Sequence, residues 1–280
     1  MLSQIHILLT YGCTFECDHC FLYCSPRSKG TFTRARIAKV LDQACEMGGV
    51  EWIYFEGGEP FLYYPQMVEG LRMARDMGFA TGVVTNGYWA TSEEDAEIWL
   101  RPLAELDVAD ISFSDDALHG SSETAPVKMA IAAAEKMGLP LGVIRVDGEK
   151  VKFRGRAVDK LSAGLPRHPA SHFGECPYED LQSPDRVHVD SFGNVQVCQG
   201  LVIGNMWERP LARIFAEYDA TTHAICAPLT EGGPARLAGL FGAPSDEGYV
   251  DACHLCFLTR RALLERYPDL LAPRQVYGLD

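Results

Sequence analysis

The chain reads as an α/β fold built on a parallel sheet, of barrel or doubly wound type, followed by a C-terminal part of different texture. Three observations predict it. Strand-like runs alternate with helical ones at 10–15-residue spacing as far as residue 146, the pattern of βαβ units. The unusual residues fall at the ends of the first four strands, as a cysteine loop, GGEP, TNG and SFSDD, where such folds bind ligands. After about residue 165 the alternation stops, and Gly, Pro and His become common.

The elements follow in order. Gln4–Thr10 is an apolar, partly β-branched first strand, and the cysteine loop follows directly. Thr31–Met47 places Ile37, Val40, Leu41 and Ala44 on one helical face, and Gly48-Gly49 ends it. Val50–Phe55 is the second strand, broken by Glu56-Gly57-Gly58-Glu59-Pro60. A helix over Tyr64–Met77 stops at Gly78, and the third strand, Phe79–Thr85, stops at Asn86-Gly87. Thr91 or Ser92 caps the helix Glu93–Glu105, which has acids in its first turn. Val108–Ser114 is the fourth strand, Ala125–Met137 a helix and Leu141–Val146 the fifth strand. Beyond the boundary, Arg186–Asp190 and Asn194–Cys198 form a hairpin through Ser191-Phe192-Gly193. Pro210–Tyr218 is a short helix, Ala227–Gly248 is irregular on its Gly and Pro content, and Leu255–Arg266 is the last helix.

Composition excludes several classes. With 47% hydrophobic and 22% charged residues, the 280-residue chain is globular. Its net charge of −13, from 38 acids against 25 bases, comes without basic clusters, which argues against nucleic acid and anionic membrane as partners. No apolar run approaches the roughly 18 residues needed to span a bilayer. MLSQIHILLT lacks the basic start of a signal peptide, so a cytoplasmic location is expected. In that reducing setting ten cysteines point to metal binding or catalysis rather than to disulfides. Cys13, Cys17 and Cys20 form C-x3-C-x2-C, and Cys253 and Cys256 form C-x2-C. Three thiolates on a tight loop can hold three irons of a [4Fe–4S] cube and leave the fourth open. A zinc site completed by His19 or Cys24, or a set of buried thiols, fits the spacing too.

The C-x3-C-x2-C loop after the first strand, together with GGEP after the second, resembles the radical SAM superfamily, and residues 4–150 follow that layout. The resemblance implies a partial (β/α) barrel of five or six parallel strands over residues 1–165. It implies a [4Fe–4S] cluster on Cys13, Cys17 and Cys20, whose open iron is chelated by S-adenosylmethionine (SAM). Reduction would release a 5′-deoxyadenosyl radical that abstracts a substrate hydrogen. Gly57 and Gly58 would let the backbone approach the methionine moiety. Glu59 or its neighbouring carbonyls would accept from the SAM ammonium, and Pro60 would hold the turn. Ser114 and Asp115 occupy the place of ribose and carboxylate contacts. Arg145 could pair with the SAM carboxylate or be solvated. His19 stands where the family has a bulky aromatic near the adenine. Asp115, Asp116 and His119 could form an acid/base group, or a turn of solvated acids. The basic stretch Lys150–Arg156 reads as a solvated face. Cys24 reads as a buried thiol, and Cys45 as a small core residue inside a helix.

Cys176, the G-x4-C hairpin ending at Cys198, and Cys253-x2-Cys256 resemble the SPASM extension in its short, twitch form. That implies one fully ligated auxiliary [4Fe–4S] cluster in a small α+β domain over residues 166–280, with Cys226 a spare thiol. The same four thiolates would also hold zinc. A saturated cluster suits electron transfer, so the resemblance implies oxidation of a small molecule, with flavodoxin or ferredoxin as reductant. Peptide modification, with a peptide substrate, is the alternative. From a different class, an iron–sulfur or zinc binding or electron-transfer protein has the same cysteines.

Overall fold

The computed structural model describes residues 2–119, 125–146, 151–244 and 247–279. The elements run β1 (Gln4–Thr10), α1 (Arg34–Met47), β2 (Trp52–Gly57), α2 (Tyr64–Asp76), β3 (Ala80–Thr85), α3 (Glu93–Glu105), β4 (Asp110–Ser114), α4 (Pro126–Lys136), β5 (Leu141–Ile144) and α5 (Arg156–Lys160). Then come β6 (Arg186–Asp190), β7 (Asn194–Cys198), β8 (Leu201–Asn205), α6 (Leu211–Glu217), α7 (Cys226–Phe241) and α8 (Ala252–Ala262).

One sheet of eight strands carries the molecule, in the order β5-β4-β3-β2-β1-β6-β7-β8. The six strands from β5 to β6 are parallel, forming the partial barrel, and β7 and β8 continue antiparallel. The sheet crosses the boundary expected at 165/166. Arg186–Asp190, read as half of a separate hairpin, is also the sixth parallel strand, because β1 at the centre of the sheet needs a partner on both edges. β8 was not legible as a strand; it pairs with β7 across the tight turn Gln199-Gly200.

Alternation along the strands separates two faces. Ile5, Ile7, Ile53, Phe55, Val83, Ile111, Phe113, Val187 and Val189 are buried on the face that meets the helices. Gly70 of α2 lies so close to Phe55 that a Cβ there would sit 2.5 Å from the ring. The opposite face is polar and aromatic. There Trp52 stacks on Tyr54 and Tyr54 on His6, with ring centroids 5.5 and 4.6 Å apart.

Helix ends obey local chemistry. The Ser92 side chain accepts from Asp95 N to cap α3, Thr33 from Arg36 N to cap α1, and Gly48 ends α1 at φ +71°. Ala227–Gly248, expected to be irregular, is instead largely α7. Gly232 and Gly233 break it into two segments, and Pro234 starts the second, where a missing N–H costs nothing. The last helix starts earlier than expected: Asp251 accepts from His254 N and caps α8, so Cys253 and Cys256 sit about one turn apart near its start. Cys45, expected in the core, is exposed.

Candidate active site

The loop between β1 and α1 is stitched to the GGEP loop by backbone hydrogen bonds. Gly58 N donates to Thr10 O at 2.7 Å and Glu59 N to Gly12 O at 2.9 Å. This contact explains both glycines. A Cβ on Gly57 would lie 2.5 Å from Thr10 O, and one on Gly58 2.1 Å from Gly12 O. Gly57 also holds φ at +127°. The close approach their missing side chains permit is therefore, first, that of the cysteine loop itself.

Cys13, Cys17 and Cys20 face one cavity of about 220 Å³, which Gly57, Gly58, Ser114, His19 and Ile144 also line. Burial pushes the Cys13 and Cys17 thiols up to about 12. The Cys24 hydrogen bond draws Cys20 down to about 6, while Cys24 itself is raised. Buried thiols of this kind become thiolates when a cationic centre compensates them, so the trio fits an iron cluster. Cys24 lines the same cavity, with its N–H 3.3 Å from Cys20 Sγ.

The Glu59 carboxylate does not reach this cavity. It accepts from Phe61 N, Thr85 Oγ1 and Asn86 N at 3.0, 2.8 and 2.8 Å. Burial nevertheless raises its pKa to about 7. Its place is that of a clamp between the GGEP turn, fixed by Pro60, and the end of β3. His19 borders the cavity edge-on to His119, with centroids 4.5 Å apart. Burial and the neighbouring imidazole lower its pKa to about 4, so it is a neutral ring there.

Asp115 and Asp116 are buried rather than solvated. Asp115 accepts from Lys128 Nζ at 2.6 Å and from Arg145 at 3.0 Å, so Arg145 has a carboxylate partner within the chain. Asp116 accepts from Val146 N and meets His119 Nδ1 at 3.0 and 2.9 Å. Burial opposes its charge, but those partners win and hold it below the usual carboxylate value.

Residues 7–140 match the radical SAM superfamily. A tungsten-containing aldehyde ferredoxin oxidoreductase cofactor-modifying protein from Pyrococcus furiosus is 32% identical over 139 residues, 49% of this chain and 37% of its own. The putative peptide biosynthesis protein YydG of Bacillus subtilis is 25% identical over 117 residues, 42% of this chain and 37% of its own. The match thus spans little more than a third of these curated relatives. Among solved structures, BtrN in complex with AdoMet and 2-DOIA shares the fold, with a TM-score of 0.58 over 83% of this chain and 88% of that one, at 19% identity. Residues 7–140 are a radical SAM domain.

Beyond the radical SAM domain, Cys176, Cys198, Cys253 and Cys256 line one small cavity, together with Arg154, Arg260 and Glu179. Cys198 ends β7 and the C-x2-C pair lies at the start of α8, so two elements distant in sequence converge. Arg154 donates to Glu179 at 3.3 Å and approaches Cys198 Sγ at 3.6 Å. Burial pushes up the Cys253 thiol, and Cys256 to about 11. Two buried guanidinium groups beside four thiols suit an anionic metal–thiolate centre. Cys226 is fully buried at the start of α7 and does not line this cavity.

Two residues escaped the sequence reading. Asn86, in the TNG turn, directs its amide to Cys13 Sγ at 3.7 Å and to Thr14 Oγ1 at 3.3 Å; its position at a strand end was the available signal. Arg156 is buried rather than solvated. It donates to Cys17 O, Tyr23 O and Cys24 O at 2.8, 3.0 and 2.7 Å, and its N–H bonds to Cys20 O. Nothing in a local basic stretch marks such a partner. Lys150 of that stretch lies outside the described residues.

Proposed function

We propose that this radical SAM enzyme oxidises a small molecule and uses a second [4Fe–4S] cluster, held by Cys176, Cys198, Cys253 and Cys256, as electron acceptor. The observation that carries this reading is the convergence of those four thiols on one cavity beside Arg154 and Arg260. Four protein ligands leave no iron open, so such a centre relays electrons rather than binding substrate.

In this reading Cys13, Cys17 and Cys20 hold the first cluster within residues 1–165, and residues 166–280 supply the second. The first cluster and SAM, when bound, supply a 5′-deoxyadenosyl radical. The chain's own residues position and shield that chemistry. Asn86 and Arg156 hold the cysteine loop through Cys13 and its carbonyls. Gly57 and Gly58 leave the cavity floor open for the methionine moiety. Neutral His19 offers a flat ring for the adenine. The Arg145 side chain is exposed enough to turn from Asp115 to a SAM carboxylate. Asp116, or Asp115 still paired with Lys128, would take the proton that oxidation of the substrate frees. A cytoplasmic flavodoxin or ferredoxin would deliver the electron that starts the cycle.

Anaerobic reconstitution followed by iron and sulfide analysis tests the cofactor assignment. About eight of each per chain are expected, and about four after Cys13, Cys17 and Cys20 are changed together to Ala. One zinc beside a single cube would overturn the electron-acceptor role. The likeness to YydG favours a second reading, with a peptide as substrate. Formation of 5′-deoxyadenosine that rises with a peptide pool, and not with a pool of small metabolites, would select it.

A further inference from the structure

Apart from the two cysteine groups, the polar face of the sheet gathers a third ligand set. His6 on β1, Glu56 on β2 and His188 on β6 project from neighbouring central strands, and the register places His6 opposite His188. His6 Nδ1 is 3.2 Å from Glu56 Oε2, and His188 Nε2 is 3.1 Å from Glu56 Oε1. One donor atom from each residue lies within 4.8 Å of the other two. All three side chains are largely buried.

Both pairs lie within ion-pair distance, yet they leave buried polar atoms without a well-formed hydrogen bond. His6 Nδ1 and Glu56 Oε1 are buried polar atoms without a hydrogen-bond partner, as is His188 Nδ1. Unpartnered buried polar atoms are costly and uncommon. One ligand atom of each residue lies within reach of the other two, so a single cation could satisfy them together. His6 Nε2 meets Gln4 Oε1 at 3.4 Å. With Nε2 donating to that amide oxygen, Nδ1 would keep its lone pair for a cation shared with Glu56. An outer partner that sets the tautomer in this way is what a metal-binding imidazole needs.

We propose that His6, Glu56 and His188 bind one divalent transition-metal ion. Two imidazoles and a carboxylate suit zinc, iron(II), manganese or cobalt, and three ligands leave coordination positions open. Glu56 borders the cavity that the cysteine loop lines, so the ion would sit beside that cavity. The ion would bind a hydroxyl, carboxylate or amine of the substrate. The Trp52–Tyr54–His6 stack walls the same face. Tyr54 lies flat there because its neighbour is Gly82, where a Cβ would meet the ring at 2.2 Å. The site stands independently of the reaction proposed above.

The test uses cluster-loaded protein, with clusters oxidised, titrated with Mn2+ and followed by loss of the free-ion electron paramagnetic resonance signal. One Mn2+ per chain is expected, displaced by Zn2+ as the order of divalent affinities requires. Glu56→Gln and His188→Gln should each weaken binding at least tenfold, with iron content and far-ultraviolet circular dichroism unchanged. Gln4→Ala touches no ligand atom and should weaken it by roughly tenfold through the His6 tautomer, which keeps the test decisive if a ligand variant misfolds. Failure of the wild type to bind either ion, or undiminished binding in the folded variants, would overturn the site.

Discussion

Arg156 ties together the carbonyls of Cys17, Tyr23 and Cys24 from a buried position. Removing it strands three acceptors that lie under the cysteine loop. Arg156→Ala is expected to cost about 3–5 kcal/mol, given roughly 1.5–3 for each bond to a charged group and partial relaxation. Urea unfolding measures this, and iron retained on Cys13, Cys17 and Cys20 should fall with it. Arg156→Lys should rescue little, since one ammonium cannot reproduce the planar fork. Glu59 gives a pH prediction. Its folded pKa of about 7 exceeds the ordinary 4.5, so the folded state holds a proton that the unfolded chain has released. The stabilisation is complete below 4.5 and is lost as pH rises through about 7. The stability difference between wild type and Glu59→Gln should therefore shrink across that window, by at most about 1.4 kcal/mol per pH unit. A difference that grows with pH would refute the assignment.

At the scale of elements, the β1 and β2 loops form one unit. Gly57→Ala and Gly58→Ala put a methyl group 2.5 and 2.1 Å from backbone carbonyls of the cysteine loop, where no flexible side chain can yield. Both variants should lose iron from the first site, and not SAM binding alone. Gly57→Ala adds roughly 1–2 kcal/mol of backbone strain from its positive φ. Reconstituted iron content with a circular-dichroism control checks this; a full first cluster in both variants would show that the loops part easily. The turn chemistry of these elements was legible: Ser92, Gly48 and the breaks after β2 and β3 lie where their residue types require. The helical character of α7 was not. Two glycines and a proline inside it read as loop, yet they only divide it, because Pro234 is tolerated at a helix start and the break packs against Gly174 and Glu175.

At the scale of the molecule, the second cysteine site joins α8, the end of β7 and the segment around Cys176. These share little local sequence, so a bound centre would hold them as one body. Cys198→Ala or Cys253→Ala is expected to lower the melting temperature of the reconstituted protein while leaving some reductive SAM cleavage at the first site. Oxidised product should disappear, because the substrate radical has no acceptor. Normal product formation by a folded variant lacking the second centre would leave that centre a structural role alone.

Local patterns already carried the parallel α/β core, the cysteine loop after β1 and the glycine turn after β2, because period, spacing and turn chemistry act over a few residues. Tertiary structure alone decided the rest. It made Arg186–Asp190 a sixth barrel strand, since only the assembled sheet shows that β1 lacks a neighbour. It turned the Glu59 carboxylate inward and brought Arg156 under the cysteine loop. It also set His6, Glu56 and His188 within reach of one another across more than 180 positions of sequence. Strand register creates such neighbours, and register is a property of the closed sheet rather than of any segment within it.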